Sequence, residues 1–373
     1  MHLEDMFPPV DMDWLGKARL RYASAVVGAR NADRIPVDPM MLGHATVSCG
    51  YTIRDFYTKP ELGVRCMAYA QELYDLLPVT KYHFAHPWLT ELGLELKPMD
   101  LTAPVPVNVP VPDAEAVEAL EAPSLEEIKN GFSYRKLVGT MDYTKEHIPE
   151  MFVPLAYCPE PVGSAAQLCG LEQFLMWTVT DMDLVKKLIS VYIDTAVTAA
   201  GAIADRFGMA VINTGAVFEN SDTMSPETIA EISPPALDRL VKGCLKKGAG
   251  PQIFYHFCGN HKDDYMLYRD TILFTPLTIM QMGYWDRVPF PSSVMRETFG
   301  DMCTIMPSVD TKLFALGNLK AIYEQARDQI LGGRDSKNGF ILGTACEVPP
   351  LSYPASIHTL VRAAKDFGSY GTW

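Results

Sequence analysis

The chain has 373 residues, 48% of them hydrophobic, and a formal net charge of -13 from 32 basic and 45 acidic side chains. That length holds one large α/β domain or two ordinary ones, and the apolar fraction supports a sizeable core, which excludes a wholly disordered chain. No run of basic residues exceeds two, so the clustered positive field that phosphate binding needs is missing and nucleic acid is excluded as a partner.

The opening "MHLEDMFPPVDMDW" carries acids early and no apolar stretch of the signal-peptide kind. The first seventy residues read as helix, then an extended "RIPVDPMM" (34–41), then a helical "TIRDFYTKPELGVRCMAYAQELYDLL". Pro36 and Pro39 keep the middle piece extended. The Pro/Val alternation of "PVPVNVPVPDAEAVEAL" (104–120) suits an edge strand or loop, with Asp113 as the N-cap of the segment that follows. Residues 181–208 are the clearest helix, apolar at i, i+3, i+4 and i+7, and Gly208 stops it. Strand "MAVINTG" (209–215), helix 233–248, strand "PQIFYHF", strand "TPLTIMQMGYW" and strand "DMCTIMPSVD" (301–310) follow. Helix 318–333, strand "GFILGTA" (339–345) and helix 355–368 close the chain.

Strands alternating with helices imply βα units and a parallel sheet. With no GxGxxG or GxxxxGK[ST] anywhere, the pattern favours a (β/α)8 TIM barrel over a doubly wound sheet, with the site at the C-terminal ends of the strands. We expect one domain over residues 1–373, with an N-terminal helical elaboration and first strand in 1–70. The apolar stretch 272–285 is 14 residues long, short of the roughly 20 that span a bilayer. The chain therefore reads as soluble and cytoplasmic. Its eight cysteines are scattered without a CxxC, which argues against a disulfide framework.

Chemistry gathers at two strand ends. His256 and Cys258 follow the strand "QIFY", and Cys346 follows "GFILGTA". One imidazole and two thiolates select zinc over magnesium or calcium. Three protein ligands leave one tetrahedral position open, the mark of a catalytic site. His261, in the polar "GNHKDD", reads as a solvated loop residue.

The pattern His256-x-Cys258 followed by Cys346 resembles the zinc site of corrinoid-dependent methyltransferases in the uroporphyrinogen decarboxylase superfamily. The blocks "DRIPVDPMM", "GYTIRDFYTKPEL", "HPWLTELGLELK", "CPEPVGSAAQLCGLEQF", "MPSVDTKLFALG" and "GFILGTACEVPP" are similar to that superfamily's blocks, in its order. The arginine-rich "RQAGRY"-like segment of the true decarboxylases is missing, which favours methyl transfer. The aromatic O-demethylase pattern of two glutamates fifteen apart is missing too. The resemblance implies a TIM barrel, zinc on His256, Cys258 and Cys346, and a corrinoid (cobalamin) carried by a partner protein. Its substrate would be a thiol such as coenzyme M, or a methyl donor such as a methoxylated aromatic. Two other expectations compete: a metal-free decarboxylase of a polycarboxylate, and a non-catalytic corrinoid-binding barrel.

Strand-end logic adds further candidates. Glu219 is either a displaceable zinc ligand or a solvated loop acid. Asn213 and Asp222 share its segment as cofactor-side candidates. Met280, with Met282 and Trp285, would line an apolar pocket. Asp310 would orient the ligand histidine or cap a helix. Glu347 would tune the site or face outward, and Tyr255 would pack outward. His83 and His86 read as structural or near the rim. The N-terminal elaboration is a docking surface for the corrinoid protein or a homodimer contact.

Overall fold

A computed structural model describes residues 6–79 and 85–370. Eleven strands are described. They are β1 (Val37–Met40), β2 (Leu96–Lys97), β3 (Val105–Pro106), β4 (Leu155–Tyr157), β5 (Val211–Ala216), β6 (Ile253–Asn260), β7 (Ile279–Trp285), β8 (Val288–Pro289), β9 (Thr304–Met306), β10 (Ser308–Val309) and β11 (Leu342–Glu347).

The fold is mixed α/β with parallel sheets. β4, β5, β6 and β7 pair in that order, all parallel, and β9 adds parallel to β7. A single parallel bridge, Ile305–Phe340, leads on toward β11, which pairs parallel with β1 and β10. Among the described residues no ladder joins β1 to β4, so the path remains open there. β2 and β3 form a separate antiparallel ribbon, and β8 pairs antiparallel at the far end of β7.

Local signals explain the elements. Helix Met182–Phe207 starts at Asp181, whose side chain accepts from the Leu184 N–H, and ends at Gly208 with φ +81. Only glycine takes that left-handed cap without cost. This is the one described helix long and apolar enough to cross a membrane, yet 72% of its most apolar window is buried within the fold. Asp113 caps helix Ala114–Ala119 as expected. Helix Pro226–Lys246 departs from the expected start at residue 233, for it runs through Pro234 and Pro235. Each proline removes one helical N–H. The Ser225 cap and a buried face of Ile229, Ile232, Leu237, Leu240 and Val241 hold the helix across that gap.

The segment 121–154, which carries no clear strand signal, is mostly helix: Leu125–Asn130 and Phe132–His147. These lead to β4, which stands beside β5. Trp88, fully buried, donates its indole N–H to the Tyr157 carbonyl at 2.7 Å, tying the segment before β2 to the end of β4. The C-terminal ends of β4, β5, β6 and β11 thereby meet around one cavity.

Candidate metal centre

Alternation along a strand sends residues i and i+2 to the same face. On β6 it sends Tyr255 and Phe257 one way, to a layer of Phe274 and Tyr268 rings. Tyr255 donates to the Leu273 carbonyl at 2.8 Å and packs outward, as its position predicts. His256 and Cys258 face the other way.

Two irregularities then aim the thiols. The β6–β7 ladder slips between Phe257 and Asn260, a bulge that contains Cys258 and Gly259. Gly259 sits at φ +88 and permits it. The β1–β11 ladder slips between Asp38 and Met40, opposite the stretch that contains Cys346. There the Thr344 hydroxyl accepts from the Met40 N–H and donates to the Cys346 carbonyl. The donor atoms of His256, Cys258 and Cys346 all lie within 4.8 Å of one another, each residue half-buried.

Hydrogen bonding fixes the imidazole. The Nδ1 of His256 lies 2.7 Å from Gln281 Oε1, and the Gln281 Nε2 donates to the Thr344 carbonyl. An amide oxygen only accepts, so Nδ1 carries the proton and Nε2 is left as the ligating nitrogen. Gln281 is fully buried and joins β6 and β7 to β11, two residues ahead of Cys346.

The three donors share charge. Hydrogen bonding from Cys258 holds the Cys346 thiol well below the usual range against the cost of burial, helped by His256. The same bond pushes Cys258 up, with burial adding to it. Burial works against a charged His256, but the Cys346 hydrogen bond and charge raise it overall. A set with one ready thiolate, a second thiol beside it and an imidazole nitrogen fits zinc in its chemistry.

The centre lies on the wall of a cavity of about 340 Å³. Tyr57, His86, Tyr157, Glu160, Asn213 and Glu347 line it with His256 and Cys346. Burial pushes the Glu160 carboxyl up to about 7, the His256 charge opposing and Cys346 adding. Glu347 accepts from the Gly43 N–H through Oε1 at 3.0 Å. His86 stands at φ +52, a backbone conformation rare outside glycine that clusters at functional sites. His83 lies outside the described residues.

The remaining candidates fall elsewhere. Glu219 is fully buried rather than solvated, and the three-donor group does not include it. Its Oε1 accepts from Ser233 at 2.9 Å, Ser233 accepts from Tyr268, and burial pushes its carboxyl up to about 8. Asn213 is on the cavity wall. Asp222 is an exposed loop residue that accepts from Asn260 Nδ2 at 3.0 Å. Met280 and Met282 are fully buried and off the cavity wall, and Trp285 stacks near Tyr265 and Phe290. Asp310 accepts from the Lys312 N–H and the Tyr284 hydroxyl, as a cap to helix Thr311–Ala315; the partner of His256 is Gln281.

His261 overturns its reading as a solvated loop residue. It is fully buried, with Nδ1 3.0 Å from Asp264 and Nε2 2.9 Å from the Cys258 carbonyl. The loop folds back beneath β6, so a polar sequence context did not mean solvent. Sequence reasoning missed Gln281, Glu160 and Tyr157. A glutamine inside the apolar run "TIMQMGYW" was the available signal, since a buried amide demands partners. Glu160 and Tyr157 had none, because β4 is three residues long.

Comparison with known proteins follows the same line. The family model described as Uroporphyrinogen decarboxylase (URO-D) matches residues 20–367. A methylated-thiol–coenzyme M methyltransferase of Methanosarcina mazei is 27% identical over 235 residues, 62% of this chain. The chain spans 58% of that relative's length. A solved methyltransferase structure from Methanosarcina mazei superposes with a TM-score of 0.76 at 18% identity, over 94% of this chain and 98% of that one. At that identity the likeness is one of fold.

Proposed function

This chain belongs to the uroporphyrinogen decarboxylase family, and we propose that within it the protein is a zinc-dependent methyltransferase working with a separate corrinoid protein. It moves a methyl group between a small substrate and the cobalt of that partner. The observation that carries this reading is the convergence of one imidazole and two thiols from two distant strand ends, with His256 and Cys346 of that group on the wall of one cavity. The methyltransferase named among its relatives supports it. In this reading the parallel strands belong to a (β/α)8 barrel with the cavity at its C-terminal mouth, the usual place for a site in that fold.

His256, Cys258 and Cys346 would hold the zinc. Bound there, it would supply a Lewis acid able to lower the pKa of a substrate thiol or polarise a leaving oxygen. The chain's own residues do the positioning. Gln281 fixes the His256 ring, and the His261–Asp264 pair holds the Cys258 carbonyl. The cavity wall orients the substrate and keeps bulk water away, while the corrinoid carries the difficult chemistry.

The test is metal content by elemental analysis, wild type beside Cys346→Ala, with folding checked by circular dichroism. About one zinc per chain in the wild type and little in the variant is expected, the stoichiometry of a three-ligand catalytic site. Methyl transfer to or from cobalamin, followed by absorbance, should fall in step. A folded, reduced wild type that takes up no zinc overturns the reading.

A further inference from the structure

We propose that the substrate of this cavity carries a positive charge. The inference rests on the methyltransferase reading above and names the substrate class of the same site. It begins with the charges on the wall. Glu160 and Glu347 both line the cavity, and the described wall contains no lysine or arginine. Its histidines are His86 and His256, and His256 is committed to the metal donors.

The two acids differ in what answers them. Glu347 accepts from the Gly43 N–H at the start of helix Leu42–Ser48. Glu160 accepts from its own backbone N–H, forms no ion pair among the described residues, and feels one cation there, His256. Two thiolates on zinc cancel the metal's two positive charges, so a loaded centre does not neutralise Glu160. Burial pushes this carboxyl up to about 7, so the form that lacks a counter-charge is the ionised one present at about pH 8, and a cationic substrate supplies that charge. An anionic substrate adds a second unpaired charge of the same sign.

One further feature agrees. Glu160 also lines the neighbouring groove formed by residues 106–109, 163, 170 and 171. It therefore borders both spaces. The geometry selects a small ammonium- or sulfonium-bearing compound over a sulfonate such as coenzyme M.

Three thiols of one length test this: cysteamine, 2-mercaptoethanol and 2-mercaptoethanesulfonate, which end in a cation, a neutral group and an anion. Each is titrated calorimetrically into the zinc-loaded full chain at about pH 8. Cysteamine should bind about ten- to a hundredfold tighter than the sulfonate, the range of one charge-assisted hydrogen bond. The Glu160→Gln variant, shown to be folded and zinc-loaded, should bring the two affinities together. A sulfonate that binds as tightly as cysteamine overturns the inference, and a preference that survives Glu160→Gln overturns the role of Glu160. A chain without zinc defeats the methyltransferase reading instead. Choline against its uncharged isostere 3,3-dimethylbutan-1-ol then decides the charge preference without a metal, and equal affinity overturns it.

Discussion

Gln281 joins His256 to the Thr344 carbonyl and so holds the imidazole against the strand that carries Cys346. The Gln281→Leu variant keeps the volume and loses both bonds. Its zinc affinity should fall about ten- to a hundredfold, the usual cost of losing a partner behind a metal ligand. Competition against a chromogenic chelator measures it, and an affinity equal to wild type would mean the ring needs no such support. That His256 and Cys258 share a face was legible, because strand alternation puts residues i and i+2 together. Gln281 was not, since its meaning depends on a carbonyl 63 positions away. His261 failed for a related reason: three acceptor contacts and two aromatic rings enclose a residue whose sequence neighbours are polar.

At the level of elements, the pairing of β5 with β6 sets where the donors stand. Gly215 lies opposite His256 in this ladder, and a Cβ there would come within 1.7 Å of the His256 carbonyl oxygen. That overlap is with backbone, which no rotamer change relieves. The Gly215→Ala variant should therefore part the two strands, destabilise the protein by about 1–3 kcal/mol and lose zinc together with stability. Thermal unfolding and metal content, read on the same sample, check both; a stable, fully zinc-loaded variant would show that the close approach is dispensable. The strands themselves were visible as short apolar runs. Their bulges were not, because a bulge is a mismatch between two strands and neither sequence contains it alone. The helix across Pro234 and Pro235 shows the converse, a local breaker overruled by a buried face.

Across the whole molecule, an ion network ties the two ends of the chain together. Arg21 in helix Met12–Val26 bonds Asp33 and Asp75, Arg34 bonds Asp75, and Lys365 in helix Pro354–Phe367 approaches Asp75 at 3.2 Å. Burial alone would raise the Asp75 carboxyl, but Arg34 and Arg21 hold it down at about 2. A carboxyl so depressed adds stability that is fully present above about pH 4 and is lost as pH falls through about 2. The Asp75→Asn variant should unfold at lower temperature than wild type at neutral pH, because two nearly buried guanidinium groups lose their counter-charge. The gap should narrow as the pH approaches 2. Unfolding midpoints across that range test it, and a gap that stays constant with pH would assign the effect to packing. The sequence by itself determined the alternation of strands and helices, the capped helix Met182–Phe207 and the candidate set His256, Cys258 and Cys346. Each follows from backbone periodicity or from side-chain chemistry within a few residues. Tertiary structure alone decided that the two bulged strand ends converge, that Gln281 and not Asp310 meets His256, and that Glu160 enters the cavity wall without an ion pair among the described residues. Those facts depend on which distant residues share a small volume, and hydrogen bonds and charges act across that volume whatever the distance along the chain.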